Sequence, residues 1–183
     1  METWIARETV YNGKLVRLDR GTVRLDDGLE AQREVMVHPG GVAVVPVQGD
    51  SVVFVRQFRI AIGKDLLEIP AGKLEPGDTL EHRARLELEE EAGFSAGRLV
   101  PAGKMYPSPG FLSEVLHLFL AFDLRAVPVR PEWDERIEVV TMPIAEAQRR
   151  LHAHEFEDGK TRIGLHVLIE HLGARRGAGA RQD

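Results

Sequence analysis

Two strongly apolar runs, residues 42–47 and 51–58, stand on either side of Gln48-Gly49-Asp50. Runs this short and this apolar, joined by a turn signal, read as a buried β-hairpin. A hairpin of that kind needs a core around it, and the 183-residue chain is long enough to supply one. At roughly 150 residues per domain, one domain with a small extra lobe is expected. The chain is 43% hydrophobic and 29% charged, an ordinary globular mixture.

The stretch before the hairpin is charge-rich and alternating, with turns at Tyr11-Asn12-Gly13 and Asp26-Asp27-Gly28. Strands are expected at 21–25 and 29–38, and residues 1–38 could hardly fold alone. Their apolar positions, Trp4, Ile5, Val10, Leu15, Val16 and Leu18, are too many for so short a lobe to hide internally. A two-fold dimer packed through this lobe would cover them.

Beyond the hairpin, residues 66–72 form a short extended piece ending in Pro-Ala-Gly. A helix is expected from about Asp78 to Gly93, since Asp78-x-x-Glu81 resembles a capping box and Gly93 suits the residue after a helix. Leu80, Ala84, Leu88 and Ala92 give it one apolar face. Strands follow near 98–106, 114–123 and 137–142, then helices at 144–154 and about 161–172. Residues 173–183, rich in Gly, Ala and Arg, read as a disordered tail. Strands and helices interleave, which favours a mixed α/β sandwich over residues 39–172.

Composition excludes several classes of function. Twenty-four Lys and Arg against 29 Asp and Glu make the chain mildly acidic, which argues against a nucleic-acid or anionic-membrane surface. It has no cysteine, so disulfides, thiolate zinc sites and a cysteine nucleophile all drop out. No apolar run approaches the roughly 20 residues of a membrane helix, and no signal peptide is visible. A cytoplasmic protein without membrane or nucleic-acid partners is the expectation.

The chemistry is concentrated in Leu86-Glu87-Leu88-Glu89-Glu90-Glu91. Like charges one helical turn apart repel, so such a run has a cost. Glu87, Glu90 and Glu91 fall within about 60° of one side of a regular helix. That side adjoins the apolar stripe and places three carboxylates at the edge of the core. Hard divalent cations take such oxygen ligands, and Mg²⁺ leaves room for waters and phosphates.

From Gly72 the chain reads five residues, Asp78, seven residues, then Leu86-Glu87-Leu88-x-Glu90-Glu91-x-Gly93-Phe94. This resembles the Nudix box, the loop–helix–loop signature of the Nudix hydrolases. All spacings match. Asp78 stands where the signature has Glu, and Leu86 where it has Arg. Glu68-Ile69-Pro70-Ala71-Gly72 before the box and Ser108-Pro109-Gly110-Phe111 after it resemble the ADP-ribose pyrophosphatase branch.

The resemblance implies a Nudix-type α/β/α sandwich with a mixed sheet and a small N-terminal antiparallel β lobe. It implies a homodimer that splits ADP-ribose or a related nucleoside-diphosphate sugar into AMP and a sugar phosphate, using Mg²⁺ or Mn²⁺. Glu87, Glu90 and Glu91, with the Ala71 carbonyl, are its metal ligands, and Glu87 and Glu90 are counted with the catalytic groups. Substrate contacts fall on Arg56, Arg59, Glu68, Phe111, Glu114 and Trp4. The general base matches Glu135, with Glu132, Asp134 and Glu138 as competitors. Leu86 removes a guanidinium that orients the box acids in relatives, and Arg83, four residues before Glu87, could replace it. A non-catalytic module that binds a nucleotide is the alternative.

Overall fold

In a computed structural model of the protein, residues 1–130, 133 and 136–179 are described, those after Ala174 as backbone only. The chain divides into two compact units. Met1–Gly41 and Met105–Leu116 make the first; the second takes residues 42–104 and those from His117 onward.

The first unit is built on an antiparallel sheet in the order β1 (Thr3–Asn12), β2 (Arg17–Arg24), β3 (Glu30–Val37). Both expected turns are present, and Gly28 takes the left-handed conformation (φ 86°) that the second requires. The β2 strand starts at Arg17, earlier than the alternation suggested. At its heart is Asp19, 1% exposed and ringed by Thr9, Arg17 and Arg7. The Thr9 hydroxyl, acting against burial and helped by both guanidinium groups, holds the Asp19 carboxyl down at about 2. The 105–116 segment joins this sheet through Met36, whose N–H donates to the Phe111 carbonyl at 2.7 Å and whose carbonyl accepts from Ser113 at 2.9 Å.

The second unit carries a seven-stranded sheet. Its path runs β10 (Ile137–Pro143), β5 (Ser51–Arg59), β4 (Gly41–Gln48), β9 (Leu116–Ala126), β8 (Phe94–Met105). Off this path, β6 (Lys64–Glu68) pairs with β5 and β7 (Ala71–Lys73) with β4. The expected hairpin is β4–β5, closed by Gly49 at φ 60°. Successive side chains of a strand point to opposite faces. Accordingly Val42, Val44 and Val53, with Phe119 and Ala121, pack against Ala84, Leu88 and Ala92 of α1 (Leu80–Ala92). Phe54, next to Val53, stacks instead on Phe156 at 5.5 Å, ahead of α3 (Gly159–Gly179). Phe122 likewise stacks on His171 of α3, and α2 (Ile144–His152) buries Ala147 and Leu151. This is the α/β/α sandwich that the resemblance implies.

Two helix ends differ from the expectation. Thr79, not Asp78, caps α1 by accepting the His82 N–H at 3.2 Å. Asp78 cannot do so, because its carboxylate turns back to the Glu75 N–H and to Arg83. At the other end Gly93, φ 72°, donates to the Glu89 carbonyl as expected. The α3 helix runs past Leu172 to Gly179, and residues 180–183 lie outside the described residues.

Leu88 is fully buried between α1 and the sheet. Leu88→Ala should therefore cost about 2–5 kcal/mol, read as a lower urea midpoint with an unchanged slope.

Candidate active site

The strap Ile69-Pro70-Ala71-Gly72 leads from β6 into β7 and is pinned at successive residues. The Ile69 N–H donates to the Thr161 hydroxyl at 2.9 Å, and the Pro70 carbonyl accepts from Val44 at 2.9 Å. The Ala71 N–H donates to Glu91 Oε2 at 2.9 Å. Glu91 is only 3% exposed, and a carboxylate at that depth needs such donors to offset lost hydration. One turn earlier on α1, Glu87 lies flat against the strap. A Cβ added at Gly72 would come within 1.8 Å of Glu87 Oε1, so a side chain there would evict the carboxylate. Glu87 and Glu91 thus close over one piece of backbone, with Glu90 partly buried beside them. The Glu90 carbonyl accepts from the Arg130 N–H at 3.1 Å.

A guanidinium sits next to these acids. Arg83 is 11% exposed; its Nε donates to Asp78 Oδ2 at 2.7 Å and its Nη1 to Glu87 Oε1 at 3.4 Å, with Glu75 3.7 Å from its Nη2. Burial works against the Arg83 charge, but Asp78 and Glu87 outweigh it and its pKa is raised. The Glu75 amide, then Arg83, hold the Asp78 carboxyl below the usual range. Arg85 faces away, donating to the Ala96 carbonyl and pairing with Glu81.

Glu68 and Arg59 come together as a fork. Glu68 is 2% exposed and accepts from Arg59 Nε at 2.7 Å, from Arg59 Nη2 at 2.9 Å, and from Lys160 Nζ. Burial pushes against the Glu68 charge, yet Arg59 and Lys160 outweigh it, and its carboxyl titrates below the usual range. Glu91 and Asp158 also act electrostatically on Arg59. Lys160 and Thr161 are site neighbours that the sequence reading missed. Asp158, just before α3, accepts from the Thr161 N–H at 2.9 Å, and nothing local in the sequence links this helix start to a strap about ninety residues away.

Arg56 stands apart from that fork, with Glu138 3.2 Å away and both side chains exposed. Glu138 is thereby tied to an arginine, whereas Glu132, Asp134 and Glu135 lie outside the described residues. Trp4, Phe111 and Glu114 belong to the first unit. There Arg7 lies over the Trp4 ring at 5.2 Å, Glu114 is 3.8 Å from His38 Nδ1, and Phe111 is half exposed.

Among the described residues no three His, Asp or Glu side chains form a ready-made cation cage. Glu87 is turned to Arg83 and Glu91 to the Ala71 N–H. The donor set nevertheless fits a hard divalent cation: it is all oxygen, and Gly72 leaves open the space in which Glu87 lies.

The NUDIX domain family matches residues 37–162, more than half of the chain. The chain belongs to the Nudix family. Its Nudix box is the loop–α1–loop segment just described, and Nudix hydrolases as a group depend on divalent metals. The chain is 38% identical over 170 residues to an ADP-ribose pyrophosphatase of Bacillus subtilis (strain 168), covering 91% of this chain and 92% of that one. It is 33% identical, over the same shares of the two chains, to a methanol dehydrogenase activator of Bacillus methanolicus. A solved structure described as an ADP compounds hydrolase has the same fold, with a TM-score of 0.85 over 95% of each chain at 24% identity. No helix among the described residues is long and apolar enough to cross a membrane.

The lowered pKa of Glu68 has a defined consequence for stability. A carboxyl whose pKa is lower in the folded state adds stability that is complete above its unfolded pKa and is lost as pH falls through the folded value. Glu68→Gln should cost about 1–3 kcal/mol at pH 7. The gap from the parent should narrow steadily below about pH 4, measured by urea unfolding across that range.

Proposed function

We propose that the chain hydrolyses the diphosphate bond of ADP-ribose or a closely related nucleoside-diphosphate sugar, releasing AMP and a sugar phosphate. The observation that carries this reading is the closure of Glu87 and Glu91 over the Ala71–Gly72 backbone. The B. subtilis relative supports the choice of substrate.

Glu87, Glu90 and Glu91, with the Ala71 carbonyl, would hold Mg²⁺, with Mn²⁺ as a substitute. When bound, the cation offsets the charge of the diphosphate and acidifies the attacking water. Arg59, fixed from behind by Glu68, has the donors left over from that pair to offer phosphate oxygens. Arg56 is a second phosphate contact, for which Glu138 competes. Glu135 takes the proton of the water, whose oxygen bonds to phosphorus as the bridging P–O bond breaks. Glu132, Asp134 and Glu138 are its alternatives. Trp4 offers an apolar ring to the base, and Phe111 and Glu114 contact the nucleoside.

A panel of nucleoside-diphosphate derivatives with Mg²⁺ or Mn²⁺ tests this. AMP released from ADP-ribose is the expected product; turnover of triphosphates alone contradicts the substrate class. Tight binding of ADP-ribose without turnover in any metal would instead establish a binding module. Glu91→Gln keeps the shape and removes the charge, so turnover should fall at least about a hundredfold with the fold retained. Activity within a few-fold of the parent would remove the metal assignment.

The protein is also proposed to be a homodimer, through the first unit. Ile5, Val10, Tyr11 and Leu15 are 42–58% exposed there. Light scattering should give twice the 20.4 kDa chain mass. A mass of one chain sinks the dimer.

A further inference from the structure

We propose that Arg83 is the positioning residue for Glu87, replacing from one turn earlier on α1 the arginine that the Nudix box carries where this chain has Leu86. The proposal rests on the reading of Glu87 as a metal ligand. Glu87 is confined on two sides. The Gly72 backbone lies against its carboxylate, and Arg83 donates to its Oε1. Arg83 is itself anchored, because its Nε is bonded to Asp78 at 2.7 Å and its side chain is only 11% exposed. An arginine held at one corner of its fork by Asp78 cannot follow Glu87 about. It fixes where that carboxylate can go.

Spacing is what makes this possible. Residues four apart share a helix face, so position 83 meets position 87 directly. Arg85, two before Glu87, is committed to Glu81 and the Ala96 carbonyl. Asp78 gains a purpose from the same arrangement. One methylene shorter than glutamate, it is the 2.7 Å anchor of the guanidinium rather than a cap. Arg83 also places a positive charge inside a crowd of acids, which offsets their repulsion before any cation binds.

Mn²⁺ binding, followed by the spin resonance of the free ion on the full chain without substrate, reads the role directly. Arg83→Leu should raise the half-saturating Mn²⁺ concentration about tenfold. Turnover of ADP-ribose should fall by a similar factor in kcat, with KM within threefold. Arg83→Gln, which keeps a polar, helix-compatible side chain without the charge, guards against misfolding and should show the same shift. Adding Leu86→Arg to Arg83→Leu should return Mn²⁺ binding to within threefold of the parent. Mn²⁺ binding within twofold of the parent in both single variants, with only the melting temperature lowered, overturns the proposal. A parent that binds no Mn²⁺ overturns the metal reading and this inference with it. A parent that binds Mn²⁺ beside unchanged variants overturns this inference alone.

Discussion

A hydrogen bond from the Ala71 amide to the nearly buried carboxylate of Glu91 ties the acidic helix to the sheet. Around it the site's other constraints fall into place. A backbone donor helps Glu91 to lie that deep, and the donor is aimed because Pro70 and Ile69 are pinned in turn to β4 and to Thr161. With Glu91 fixed, Glu87 one turn earlier falls onto Gly72, where no side chain would leave room. The helix itself is held by ordinary burial of Ala84, Leu88 and Ala92, so its acids are carried on a rigid element. Packing supplies the stability, and the carboxylates draw on it.

The charges around this centre are arranged as two anchored arginines. Arg59 is set by the buried Glu68, which Lys160 also grips; Arg83 is set by Asp78. In both cases a carboxylate fixes a guanidinium whose remaining donors face other work. Such pairs hold a site to its geometry without ordering long side chains at the moment of binding.

Local patterns made much of this legible in the sequence. The 42–58 hairpin, the apolar stripe of α1, its stop at Gly93 and the spacing of Glu87, Glu90 and Glu91 all follow from periodicity and turn chemistry over a few residues. What escaped was decided by competition or by distance. Asp78 reads as a cap, but a nearby guanidinium and the Glu75 amide outbid the helix end, leaving Thr79 to serve. Thr161 and Lys160 reach Ile69 and Glu68 across 92 residues of chain, a contact that no short-range pattern encodes. The attachment of 105–116 to the β1–β3 sheet escaped for the same reason. Arg83 lies between these cases: its i,i+4 spacing to Glu87 was visible, but its anchor on Asp78 was not.

The proposed function requires α1 and the strap together to form a cation seat for diphosphate chemistry. The most direct measurement is the anomalous scattering of Mn²⁺ in crystals grown with a non-hydrolysable ADP-ribose analogue. The account predicts the strongest peak among the carboxylates of Glu87, Glu90 and Glu91 and the Ala71 carbonyl, with the analogue's phosphates beside it. A strongest peak elsewhere, with Glu87 still on Arg83 and Glu91 still on the Ala71 amide, would contradict it.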